Sequence, residues 1–190
     1  NFFREAWFNN PSFTKEDKNR TSSYLASKEI KNIESKKLSN KELNNWVKKL
    51  NVKISKKELN KDNVKRTIQL FNKTNQLNTI TRRLSENSLK NWIKKNKARI
   101  NLYYVSDKFA DYGLTAITTY RESKNLYEIY DFLMSCRITG RHVENQIIEE
   151  FTKKNKKIEI NFHHSKKNKP MFDMLKKLGF ILKNGKFIKN

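Results

Sequence analysis

Cys136, the chain's single cysteine, sits in Ser135-Cys136-Arg137-Ile138-Thr139-Gly140-Arg141, between an apolar run and a helical pattern. Phe132, Leu133 and Met134 before it read as a buried strand. Val143, Ile147 and Phe151 after it, with Ile148 beside them, have the spacing of a helix face turned to a core. A strand–turn–helix junction with Gly140 in the turn and two flanking arginines suits a phosphate. Helix N-termini offer unpaired N–H groups and the positive end of the macrodipole. Arg137, Gly140, Arg141, His142 and Val143, at the mouth of a helix over 142–154, are therefore the candidate binders of a phosphate-bearing cofactor. In the competing reading Arg137 pairs with a carboxylate such as Glu144. Cys136 is a candidate nucleophile, because thiols at helix N-termini beside cations are the reactive ones. Its competing reading is a small buried apolar residue.

Other chemistry-bearing residues are scattered. His163 and His164 follow a strand, and adjacent strand residues point apart, so they do not share a metal; no metal is expected. His163 is a candidate base, with surface residence as its alternative. Asn75, Asp111 and Asn168 are candidate substrate contacts. Asn75, with Asn72 and Gln76, equally suits a helix end, and Asp111 before Gly113 equally suits a turn. Asn168 lies in the Lys-rich loop after the histidines. Glu128 and Asp131, three apart on a strand, face opposite ways and do not form a carboxylate pair.

These residues need a scaffold, and 190 residues allow one ordinary domain with a real core. Forty-two Lys and Arg against 19 Asp and Glu give a net charge of +23, which attracts polyanions. The lysines are spread along the chain, and no aromatic-plus-arginine stacking platform accompanies them, so dedicated nucleic-acid binding is not expected. An acidic protein partner fits the charge. One cysteine excludes an internal disulfide and fits a reducing, cytoplasmic interior. No run of about 18 apolar residues is present, so no membrane span is expected. The chain opens with Asn1, and we expect it to be a piece of a longer protein.

The first 76 residues read as mainly helical. Caps are predicted at Thr14, at Ser39 before Leu43, Trp46, Val47 and Leu50, and at Asp62 before Val64, Ile68 and Phe71; Val52–Ile54 is a short strand. From residue 77 strands and helices alternate. Strands are predicted at Asn78–Arg83, Ile100–Val105, Leu114–Tyr120, Leu126–Met134 and Ile158–Phe162. Helices are predicted after Ser85, over 142–154 and from Pro170, and Asn184-Gly185 marks a terminal hairpin. The expected class is α/β, a mixed sheet flanked by helices and preceded by a helical segment.

This order, with Arg137-x-x-Gly140 between strand and helix and Lys177-Leu178-Gly179-Phe180 near the end, resembles the GNAT acetyltransferase fold, in which such a turn binds the pyrophosphate of acetyl-CoA. His142 stands where the family's last small residue would be, and Leu175 where a tyrosine usually serves as general acid. Losing that hydroxyl costs proton donation typically worth about 10²–10⁴-fold. Longer phrases (Asn72 to Asn78 with Thr81-Arg82-Arg83, Val105 to Gly113, Phe132 to Glu144, and the early Phe13 to Asp17) are similar to the C-terminal half of FkbH-like proteins. There a HAD-type phosphatase domain precedes a GNAT-like domain, and a glyceryl group passes from 1,3-bisphosphoglycerate to an acyl carrier protein. The resemblance implies residues 1–76 as the junction after the phosphatase domain and 77–190 as the acyltransferase-like domain. It also implies CoA or a phosphopantetheine arm as cofactor, with an acyl carrier protein and the phosphatase domain as partners. No Asp-x-Asp-x-Thr phosphatase motif occurs in the chain. Two alternatives stand beside this reading: a CoA-dependent N-acetyltransferase, and a non-catalytic carrier-protein docking domain.

Overall fold

The computed structural model describes residues 40–190, with side chains from Asn45 onward. The predicted caps at Thr14 and Ser39 and the phrase Phe13–Asp17 lie outside the described residues. Helix α1 (Asn40–Lys49) leads into strand β1 (Lys53–Lys57), then helices α2 (Val64–Lys73) and α3 (Glu86–Asn96). Three antiparallel strands follow: β2 (Arg99–Ser106), β3 (Asp111–Glu122) and β4 (Leu126–Met134). A 3₁₀ turn at Cys136–Ile138, helix α4 (Val143–Thr152), β5 (Lys157–Asn161), α5 (Lys169–Lys177), β6 (Ile181–Lys183) and β7 (Lys186–Lys189) complete the order. The strands form one mixed sheet, β1-β2-β3-β4-β5-β7-β6, in which only β4 and β5 run parallel.

Period-two alternation sends each strand's apolar residues to opposite faces. Leu102, Leu114, Ile117 and Leu133 meet Leu70 and Phe71 of α2 and Leu89 of α3 on one side. Tyr103, Ala116, Ile129, Phe132 and Met134 meet Val143, Ile147 and Phe151 of α4 and Met171 and Leu175 of α5 on the other. The sheet therefore has helices on both faces. It also crosses the expected boundary at 76/77: β1 pairs with β2 along its whole length, and α2 packs into the same core. Within the described part of the first segment, β1 is a strand of this sheet and α2 packs on its face.

Several local signals act as their chemistry dictates. Ser85 caps α3 in a reciprocal pair with Ser88. Gly179, at φ +82°, lets α5 end with Phe180 N–H donating back to Leu175 O. Asn184 and Gly185, at φ +47° and +74°, make the hairpin turn between β6 and β7. Two expectations fail. Asp62 does not cap α2; Asn60 and Asn63 instead hold the turn through their own side-chain carbonyls. Asn78–Arg83 is not a strand, since Asn78 Oδ1 accepts from the amides of Ile80 and Thr81 and turns the chain away after one bridge to Leu133. Among the described residues no helix is long and apolar enough to cross a membrane.

Leu133→Ala is expected to cost about 2–5 kcal/mol and Ser85→Ala only about 1 kcal/mol in urea unfolding followed by circular dichroism. Equal losses would mean that the sheet interior is not the main support of the fold.

Candidate functional site

The junction after β4 divides the predicted residues between two environments. Arg141 faces inward. Its side chain is fully buried and its Nε donates to Asp107 Oδ2 at 2.8 Å. Nη1 donates to the carbonyls of Arg137 and Thr139, and Nη2 to the hydroxyl of Tyr112 at 2.5 Å. Tyr112 in turn donates to Asp107, and burial pushes its hydroxyl up to about 12 against the opposing pull of Arg141. The guanidinium thus folds the 137–140 turn onto the β2–β3 connection, which corrects its expected role as a ligand-facing phosphate binder. Val143 is a fully buried core residue, and neither Gly140 nor His142 lines the large cavity described below. Arg141 and Val143 are therefore not free to meet an anionic cofactor group, and Arg137 is the member of the expected set that lines the cavity.

A cavity of about 810 Å³ opens on the other side of the junction, between the end of β4, the end of α2 and the start of α5. Cys136 and Arg137 line it, as does Asn75, whose Oδ1 also accepts from Arg83 at 2.6 Å. Cys136 is exposed, which corrects the reading of a buried inert thiol. Arg66, Lys73, Arg137, Lys166, Lys167 and Lys169 line this space, and among the described residues no carboxylate does. Six cations without an acid make a field suited to phosphate. Arg66 and Lys73, one heptad apart on α2, share a helix face, and that spacing is the signal in the sequence that could have found them. Lys166, Lys167 and Lys169 carry no mark among so many lysines.

The remaining candidates are placed elsewhere. Asn168 is wholly buried: it donates to the carbonyls of Asn78 and His163 and accepts from Ser165, so it is scaffold rather than a substrate contact. Asp111 is exposed, accepts from Gly113 N–H at 2.9 Å and does not reach the cavity. His163 is exposed, lies outside the cavity lining and so is not brought to Cys136 there; its backbone N–H donates to Thr79 O. Asp131 binds Arg82 and Thr119, while Glu128 binds Arg121 and Lys186. Leu175 is fully buried among apolar side chains. Among the described residues no group of three metal-ligating side chains occurs.

Seven strands in this order, split by one parallel pair, decide the architecture. The fold is GNAT-like. It resembles a domain from Methanocaldococcus jannaschii DSM 2661 at a TM-score of 0.51, with 11% identity over 73% of this chain and 97% of that one. It resembles Ard1 from Thermoplasma volcanium at a TM-score of 0.51, with 10% identity over 71% and 94% of the two chains. PaiA N-acetyltransferase from Thermoplasma acidophilum, solved in complex with coenzyme A, aligns at a TM-score of 0.43, with 15% identity over 72% and 96%. No protein-family model and no curated protein sequence matches the chain.

Removing one partner of the buried pair, in Asp107→Asn or Arg141→Leu, is expected to cost about 3–5 kcal/mol in urea unfolding, and the Asp107→Leu/Arg141→Leu double variant less than the sum of its single changes. Strict additivity would show that the two side chains do not interact. Burial raises the Glu144 carboxyl above its ordinary value of 4.5, with its own N–H and His142 opposing. The folded state therefore holds this proton more tightly than the unfolded chain. The resulting stability is complete below pH 4.5 and is lost as pH rises through the folded-state value. Glu144→Gln should raise stability near neutral pH and flatten that part of the pH profile; an unchanged slope would assign it to another group.

Proposed function

We propose that the chain is an acyltransferase-like domain that carries a glyceryl or similar acyl group on Cys136. It passes that group to the phosphopantetheine thiol of an acyl carrier protein, in the cytoplasm and together with a HAD-type phosphatase domain. One observation carries the reading: an exposed thiol on the wall of a cavity lined by six cations. The FkbH-like phrases around Asn72–Arg83, Val105–Gly113 and Phe132–Glu144 supply the substrate class, since that family takes its acyl group from 1,3-bisphosphoglycerate.

In this reading the donor's phosphates lie among Lys73, Lys166, Lys167, Lys169 and the arginines. The Cys136 thiolate attacks the acyl carbon, the carbon–oxygen bond to the C1 phosphate breaks, and inorganic phosphate leaves with its charge held by those cations; the 3-phosphoglyceryl thioester that results loses its C3 phosphate by hydrolysis with water in the phosphatase domain, which leaves the glyceryl thioester. The carrier's thiolate then attacks the thioester, which restores the cysteine. Arg137 stands beside the thiol, and Asn75 offers an amide to the glyceryl hydroxyls. The excess of positive charge steers an acidic carrier protein to this face.

The test is loading of the carrier protein by the domain combined with its phosphatase partner, read by intact mass. Cys136→Ala should abolish both the acyl-enzyme mass and carrier loading, and loading at the wild-type rate would remove the thiol from the mechanism. Lys166→Ala/Lys167→Ala should raise the donor concentration needed and weaken its salt dependence. Calorimetry with acetyl-CoA addresses the alternative of N-acetyl transfer, which requires binding heat and turnover on an amine.

A further inference from the structure

The gap where β4 and β5 stop pairing is filled by the chain itself. β4 and β5 pair only from Leu126–Ile129 against Lys157–Ile160; β5 then ends at Asn161 while β4 continues to Met134. Between parallel strands that part, unpaired backbone groups can accept an extended, amide-bearing chain as an added strand. Pantetheine, with its two amides, is such a chain. Here Gln76–Thr79 takes the place. Thr79 N–H donates to Phe132 O at 3.0 Å, Phe132 N–H to Thr79 Oγ1 at 3.0 Å, and Met134 N–H to Leu77 O at 2.8 Å. On the far side His163 N–H donates to Thr79 O at 2.8 Å, and Met171 N–H, in the first turn of α5, to Gln76 O at 3.3 Å.

The segment is also pinned at its flanks. Asn78 is 1% exposed and Thr79 0%; Asn168 grips the Asn78 carbonyl, and Asn78 Nδ2 donates to Thr74 O. Beyond the turn, Arg82 lies over the ring of Trp92 and pairs with buried Asp131. Thr81, a β-branched residue, is held at φ +62° with its buried hydroxyl unpartnered, a conformation that persists only where neighbours over-determine it. Gln76 and Leu77 meanwhile form part of the wall of the basic cavity.

We propose that Leu77, Asn78 and Thr79 are a specificity element: they hold the β4 edge permanently and exclude an extended pantetheine arm from the β4/β5 cleft. Any thiol arm then reaches Cys136 end-on, through the basic cavity on the outer side of the segment. The route to Cys136 rests on the reading above; the exclusion itself does not, because it concerns the β4/β5 cleft and not the thiol.

Amide hydrogen exchange of the full chain, with and without saturating CoA, tests this. Protection at Phe132, Met134 and His163 should be unchanged by CoA, whether CoA binds in the cavity or does not bind. Accelerated exchange at these amides, or magnetic transfer from pantetheine protons to them, would overturn the proposal. A second measurement uses Thr79→Gly, which loosens the segment. This variant should gain at least about tenfold in CoA affinity over the wild type, the cleft having been opened. Equal affinity in a variant that circular dichroism shows to be folded would mean that the cleft never favoured the arm. Both measurements can be made in a Cys136→Ala background, so the thiol's failure as a nucleophile would leave them intact.

Discussion

Backbone amides and carbonyls that leave water must find partners, and the place where that demand is hardest to meet in this sheet is the parting of β4 from β5. A parallel pair that diverges strands two rows of polar groups beside a hydrophobic interior. This chain meets the demand internally, with one extended stretch between α2 and α3 bonded to β4 on one side and to the start of the 163–168 loop on the other. Once Leu77–Thr79 is fixed there, much else follows. The C-terminal end of α2 is brought beside the end of β4, Asn168 is drawn under the loop, and the cavity is displaced outward to where α2, the 3₁₀ turn and α5 meet.

The same economy governs the 137–140 turn. A guanidinium that binds two carbonyls of a turn, a carboxylate and a phenol has few donors left for a ligand. Arg141 therefore shapes the turn, while its neighbour Arg137 lines the cavity. A buried ion pair of this kind is not a strong source of stability, because desolvation offsets most of the attraction. Its value is directional: it selects one arrangement of the β4–α4 connection and so sets which way Cys136 faces.

The parts legible in the sequence are those whose cause is local. The caps and turns at Ser85, Pro170 and Asn184-Gly185, the apolar run Phe132-Leu133-Met134 that ends β4, and the helix stripe of Val143, Ile147 and Phe151 all act through near neighbours. Where distant residues decide, the reading failed. Arg141 looks like a surface cation until Asp107, 34 residues earlier, is folded beside it. The β-branched run after Asn78 looks like a strand because nothing local shows that the Asn78 side chain will capture the next amides. The six cations of the cavity come from three separate stretches of chain, and a lysine-rich composition conceals their convergence. Cys136 was legible as a residue of interest, but its exposure depends on the turn beside it.

The strand order also bears on how such a chain is made. β7, the last of the described strands to leave the ribosome, does not lie at the margin of the sheet; it sits between β5 and β6, with Phe187 fully buried. Until Lys186–Lys189 emerges, the flank of β5 that carries Ile158 and Ile160 has no neighbour. The described sheet is therefore completed by inserting an interior piece rather than adding an outer one. A nascent chain stalled just short of it would display the kind of open apolar ladder that chaperones shield and that seeds aggregation.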